Sequence, residues 1–240
     1  MKNTILLLIS CLASAITNAQ ITITASDMPV AGDTLRYSID LTSTTTINTA
    51  TTGANSTWNF STLVADTQQI DTYRTALQIN PIYAATISPT AYGYKVADSL
   101  PTMGLPLPVS VNSIYNFFSK KNGPSRFVVE GFAANISGLP TAANYSDEDE
   151  LYKFPLAFGN SDSTTFKLTF SLPTIGSVKQ QGYRKNQVDG WGTIVTPYTS
   201  APVNCIRIRS EIHEIDSVSF GPLNVGLPRT TVEYKWLANG

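Results

Sequence analysis

The chain has 240 residues, with 16 Lys and Arg against 17 Asp and Glu, one histidine and two cysteines. That near-neutral balance offers no basic face, which argues against nucleic acid or an anionic membrane surface as a partner. One histidine and so few cysteines also exclude a tetrahedral zinc site and a disulfide framework.

The opening MKNTILLLISCLASAITNAQ reads as a secretory signal peptide. Lys2 is the positive n-region, Ile5 to Ile16 the apolar core, and Ala19 the small residue before the cut. The apolar run is too short for a membrane span. Leu8-Ile9-Ser10-Cys11 also has the look of a lipoprotein box, although the apolar run continues past Cys11. Cleavage after Ala19 defines an exported domain over residues 20–240 with one cysteine, Cys205, and a net charge of about −2.

Period-two alternation dominates that domain. In DTLRYSIDL, Leu35, Tyr37, Ile39 and Leu41 share one face; in TTFKLTFSL, Phe166, Leu168, Phe170 and Leu172 do. CIRIRSEIHEIDSVSF sets Ile206, Ile208, Ser210, Ile212 and Glu214 against Arg207, Arg209, Glu211, His213 and Ile215. RTTVEYKWL ends the chain in the same style. Such alternation predicts antiparallel strands with one buried and one wet face. Abundant Thr, Val, Ile, Tyr and Phe between Gly, Pro, Asn and Asp turns agree with it. Only NPIYAATISPTAYG, from Asn80, predicts a short helix. The fold class is therefore all-β: an antiparallel β-sandwich or a strongly curled, half-barrel-like sheet. The proline-rich stretch near residues 100–112 marks a sub-boundary, and Ser137–Glu150 a second exposed loop.

No catalytic residue is assigned. His213, in EIHEIDS, reads as a polar-face strand histidine, and no nucleophile elbow accompanies it. The acidic run Asp147-Glu148-Asp149-Glu150 ordinarily means a solvated loop; as calcium ligands it would offer Asp147 and Asp149. No cofactor is expected. The binding candidates are aromatic. Trp191, Tyr183 and Tyr198 lie among polar neighbours, where exposed rings stack on sugars or anchor proteins; Trp58 and Trp236 read as core. In VDGWGTIVTPY, Asp189-Gly190 is a hairpin signal that starts a strand at Trp191. The alternative is one long bent strand kinked at both glycines.

GANSTWNFSTL, YKFPLAFGNSDS, VDGWGTIVTPY, CIRIRSEI and EYKWL together resemble a group of uncharacterised secreted proteins of Bacteroidota. The resemblance implies a type IX secretion cargo, here without the C-terminal sorting domain, delivered to the outer cell surface or beyond it, with the periplasm as the alternative. It also implies O-glycosylation at Asp-Ser/Thr triplets, which here would modify Thr34, Ser99, Ser163 and Ser217. GWGTIVTPYTSAPVNCIRIRS followed by EYKWLANG is similar to the ending of lipoprotein-carrier half-barrels, curled sheets with an apolar hollow. The leading expectation is a non-enzymatic binding module for carbohydrate or protein. The alternative is an apolar-ligand carrier, which requires one large pocket lined by Phe, Leu and Ile. A carboxylate-dependent hydrolase comes third.

Overall fold

The computed structural model describes residues 20–42, 47–99, 110–172, 176–199, 201–220 and 222–239. The expected signal peptide, Cys11 and most of the 100–112 stretch lie outside them. Twelve strands follow one another: β1 (Thr34–Ile39), β2 (Gly53–Asn59), β3 (Thr67–Thr72), β4 (Arg74–Thr75), β5 (Tyr92–Ser99), β6 (Val111–Lys121), β7 (Arg126–Ile136), β8 (Leu139–Lys153), β9 (Ser161–Leu172), β10 (Gly176–Val195), β11 (Val203–Phe220) and β12 (Leu223–Leu237). The stretch from Asn80 holds a 3-10 turn, Tyr83–Ala85, rather than the expected helix; the short helix α1 (Ala76–Ile79) lies just before it. No helix among the described residues is long and apolar enough to cross a membrane.

The fold is all-β. From β4 to β12 each strand pairs antiparallel with the next, and β2 completes a ten-stranded sheet that does not close into a barrel. β1 and β3 form a separate two-stranded ribbon. β10 is long enough to serve two neighbours on one edge. β9 pairs with its residues 176–187, and β2 then pairs in parallel with residues 190–195.

Register shifts crowd into β5–β8, at Lys95/Ala97, Asn112/Tyr115, Phe117/Phe118, Phe127/Val128 and Val129/Gly131. β10 against β11 has one, at Val188/Gly190. Bulges bend a strand and raise its twist, so the sheet curls tightly on the β5–β8 side. Tyr94, Phe118, Phe127 and Tyr152 stack ring on ring across these four strands, with interplanar angles of 9°, 10° and 12°.

Curling brings the inner faces of β5–β7 and β10–β11 together at one end of the sheet. There Tyr92, Phe118, Phe127 and Val129 share a core with Val188, Ile206 and Ile208. The N-terminal segment plugs this end. Ile23, fully buried, exchanges backbone hydrogen bonds of 3.0 and 2.8 Å with Leu156. On the outer face, α1 and the turn after it cover β6 and β7, packing Ala76, Tyr83 and Ile87 onto Phe117 and Ala133.

Three further expectations need correction. Residues 137–150 are not a loop, because β8 runs through them from Leu139 to Lys153. The acidic run is tolerated in a strand because each member meets its own partner: Asp147 accepts from Thr165, Glu148 pairs with Lys121, Asp149 with Arg184 and Glu150 with Arg126. Arg207 is not on a wet face either; it is 1% exposed. The segment leading into β2, at Thr49, and the β12 aromatics Tyr234 and Trp236 cover this side chain. Its guanidinium binds Asp189 at 2.8 and 2.7 Å, donates to the Thr49 carbonyl at 2.7 Å, and lies over the rings of Tyr234 and Trp236.

VDGWGTIVTPY is thus one bent strand, not a hairpin. Asp189 is the bulged residue, turned toward Arg207. Gly190 lies under the Trp58 ring, where an added Cβ would come within 3.1 Å. At Gly192 a Cβ would sit 1.8 Å from the Ser56 carbonyl oxygen, so only glycine lets β2 approach. Trp58 is buried and donates to the Thr51 carbonyl, with Trp236 edge-on at 5.9 Å. Cys205 is buried opposite Gly192, and burial pushes its thiol up to about 12.

Candidate functional site

The end of the curled sheet away from the N-terminal plug is open. A hollow of about 690 Å³ occupies it, walled by residues of every strand from β5 to β12. Its two walls differ in chemistry. On the β5–β9 side, and at the start of β10, Ile114, Phe132, Ile136, Leu168, Phe170 and Val178 make it apolar. Ile114, Ile136 and Phe170 form a small core of their own with Ala134, and Phe132 meets Phe170 edge-on at 5.3 Å. These positions follow from the pleat: every second residue of a half-buried strand faces inward.

The wall built by β8 and β10–β12 is polar and connected. Tyr145 donates to Gln180 at 2.6 Å, and Gln180 donates to Glu214 at 3.0 Å. Glu214 also accepts from Arg229 Nε at 2.7 Å. Arg184 holds Asp149 through two parallel bonds of 2.8 and 2.7 Å, the bidentate fork that suits a guanidinium. Its Nη1 reaches to 3.7 Å from Glu233, which in turn accepts from Lys235 at 2.7 Å. Toward the plugged end, Asn186 bonds Ser210, Asp162 and the Leu151 carbonyl.

Burial sets the electrostatics of this wall. It pushes the Tyr145 phenol well up, helped by the charges on Asp149, Glu214 and Asp216, so the hydroxyl stays a donor. Burial opposes the charge on Arg184, but the Asp149 bonds outweigh it and hold the guanidinium above its ordinary value. Glu233 is likewise desolvated, yet Lys235 and Arg184 keep its carboxyl below the usual range. Asp162 goes the other way: burial raises it despite the Asn186 hydrogen bond.

The aromatic binding candidates do not converge. Trp191 is half-buried and packs against the inner core. Tyr183 stacks on His213 at 4.6 Å, on the outer face of β10 and β11. Tyr198 is 67% exposed and bonds Ser38 at 2.5 Å, on a broad trough of about 1070 Å³ beside the β1–β3 ribbon. That trough is bordered by the exposed Val64 and Ile70, with Arg36 and Asp40 also in its lining. His213, half-buried, accepts or donates to Glu211 at 2.6 Å and to Thr230 at 3.1 Å.

The calcium candidates do not converge either. Asp147 faces Thr165 on the outer side, whereas Asp149 lies in the hollow on Arg184. The described residues contain no group of three or more His, Cys, Asp or Glu side chains placed to hold a metal ion. The triplet hydroxyls Thr34, Ser99, Ser163 and Ser217 lie on β1, β5, β9 and β11 rather than on loops; the first three are exposed and Ser217 is half-buried.

Sequence reasoning missed the polar wall. Arg184, Asp149, Gln180, Glu214 and Arg229 sit up to 80 positions apart in strands that look ordinarily amphipathic. The available signal was a charged or amide side chain at an inward position on successive strands. No protein-family model matches the chain, and no curated protein or solved structure matches it either.

Proposed function

We propose that this is an exported binding protein that carries an amphipathic small molecule in the hollow, rather than a module that binds sugar or protein through surface aromatics. The observation behind this reading is the division of one open hollow into an apolar and a hydrogen-bonded charged wall. Ligand sites of this size are mostly apolar with a few fixed polar groups, and that is the composition here. A chain lies along Ile114, Phe132, Phe170 and Val178 while the head meets the Gln180–Glu214–Arg229 network. The aromatic reading has less support, because Trp191, Tyr183 and Tyr198 occupy three separate surfaces. Export rests on the signal-peptide pattern of residues 1–19.

The test is displacement of an apolar fluorescent probe, together with native mass spectrometry of mature protein recovered from its own organism's envelope and medium. The expected results are saturable probe binding, a lipid-sized adduct that solvent extraction removes, and about tenfold weaker probe binding by Val178→Arg, which places a charge on the apolar wall. Unchanged probe binding by that variant would count against the hollow.

A further inference from the structure

We infer that the head taken up by the hollow is a positively charged amine, and that the corresponding acids are rejected; this rests on the proposed role of the hollow. The polar wall carries four carboxylates, Asp149, Glu214, Asp216 and Glu233, against three cations, Arg184, Arg229 and Lys235. Every cation is already engaged. Arg184 spends two donors on Asp149, Arg229 binds Glu214, and Lys235 binds Glu233. A fatty-acid carboxylate has no donor to offer. To bind here it would have to share a cation that already holds a carboxylate, and it would bring a fifth negative charge to a wall with three cations.

The carboxylates are less fully used. Among the described residues Asp216 is held by Arg229 Nη2 alone, at 3.5 Å, and its side chain is about one-third exposed. That distance is too long for a good charge-assisted hydrogen bond, which closes to about 2.7–2.9 Å. Glu233 leans on Lys235 at 2.7 Å, with Arg184 farther off at 3.7 Å. An alkylammonium supplies three N–H donors and no acceptor. It therefore adds a charge to a wall that is one cation short, and takes nothing from the pairs already made. The Tyr145 hydroxyl is committed to Gln180 and Gln180 to Glu214, so the two amphiphile classes cannot exchange places by a simple flip of this relay.

The experiment compares dodecylamine, dodecanol and dodecanoate as displacers of the same probe, on intact mature protein near neutral pH and below micelle-forming concentrations. The amine is expected to displace at a concentration about tenfold lower than the acid, with the alcohol between them. Added salt narrows that gap, because the wall is open to solvent on one side. In Asp216→Asn the amine-to-acid ratio is expected to fall to about threefold. Binding of dodecanol together with equal or tighter binding of dodecanoate overturns the head assignment and leaves the hollow standing. An unchanged ratio in Asp216→Asn overturns it too, since the loosely held carboxylate is then not what the amine meets. Failure of all three to displace the probe removes both the head assignment and the amphiphile reading.

Discussion

The two ends of one inner sheet face are built alike and finished differently. At the plugged end, Val188 of β10 lies under Ile23, Leu156 and the rings of β5–β8, and is 2% exposed. Ten residues earlier on the same strand and the same face, Val178 borders the open hollow and is only half-buried. The strands do not differ in kind between these points. What differs is that residues from outside the meander, chiefly the N-terminal segment, fill one end and leave the other. An apolar inner face without a filler is a site; with one it is a core.

The contrast can be broken at the plugged end first. Arg207→Leu removes a buried guanidinium and leaves the Asp189 carboxylate, 10% exposed, without its bidentate partner. The expected loss is about 3–5 kcal/mol of unfolding free energy, read from urea titration. It should loosen β2 and leave the hollow's walls in place, so any molecule that survives folded still binds the probe.

Matched truncations sharpen the comparison. Val188→Ala deletes two carbons from a filled core and should cost about 2 kcal/mol through lost transfer energy plus the cavity left behind. Val178→Ala deletes the same two carbons where no filler contacts them, and should cost under about 1 kcal/mol while weakening probe binding. Equal costs for the two would mean that the open end is packed as tightly as the plugged one.

The smallest effect belongs to the seam between the ends. Burial raises the Asp162 carboxyl above its ordinary value. At neutral pH it is ionised in both folded and unfolded chains, so its burial opposes folding. As pH falls through the raised folded value, the folded state takes up the proton first and that penalty disappears. Asp162→Asn should therefore melt higher than wild type at pH 7, with the difference closing below the ordinary carboxylate range.

The strands were legible because alternation is a local signal. Leu168 and Phe170 face inward and Lys167 and Thr169 outward, as the pattern in TTFKLTFSL requires. The hairpin at Asp189-Gly190 was misread because the local turn signal lost to the ladder. Residues 176–188 of β10 already pair with 208–220 of β11, so the strand cannot end at Gly190 and runs on to Val195. Alternation cannot show that Arg207 is covered, because the cover at Thr49 comes from a segment about 150 positions earlier. The hollow was foreshadowed only by resemblance. Its existence depends on bulges in β5–β8, where a single inserted residue changes curvature without changing composition.

The parallel pairing of β2 with β10 bears on the order in which the molecule assembles. From β4 onward each strand finds its partner in the segment made just before it, so the meander can grow as a run of short-range closures. β2 cannot join that run. Gly53 waits for Gly190, and Ser56 for Gly192, across more than half the chain. Closing so long a loop carries an entropic cost that only the finished edge of β10 repays. Trp58 is therefore expected to be covered last, and with Trp191 and Trp236 replaced by Phe its fluorescence would report the closing step: a late phase in refolding, absent or slowed when Gly192 carries a side chain.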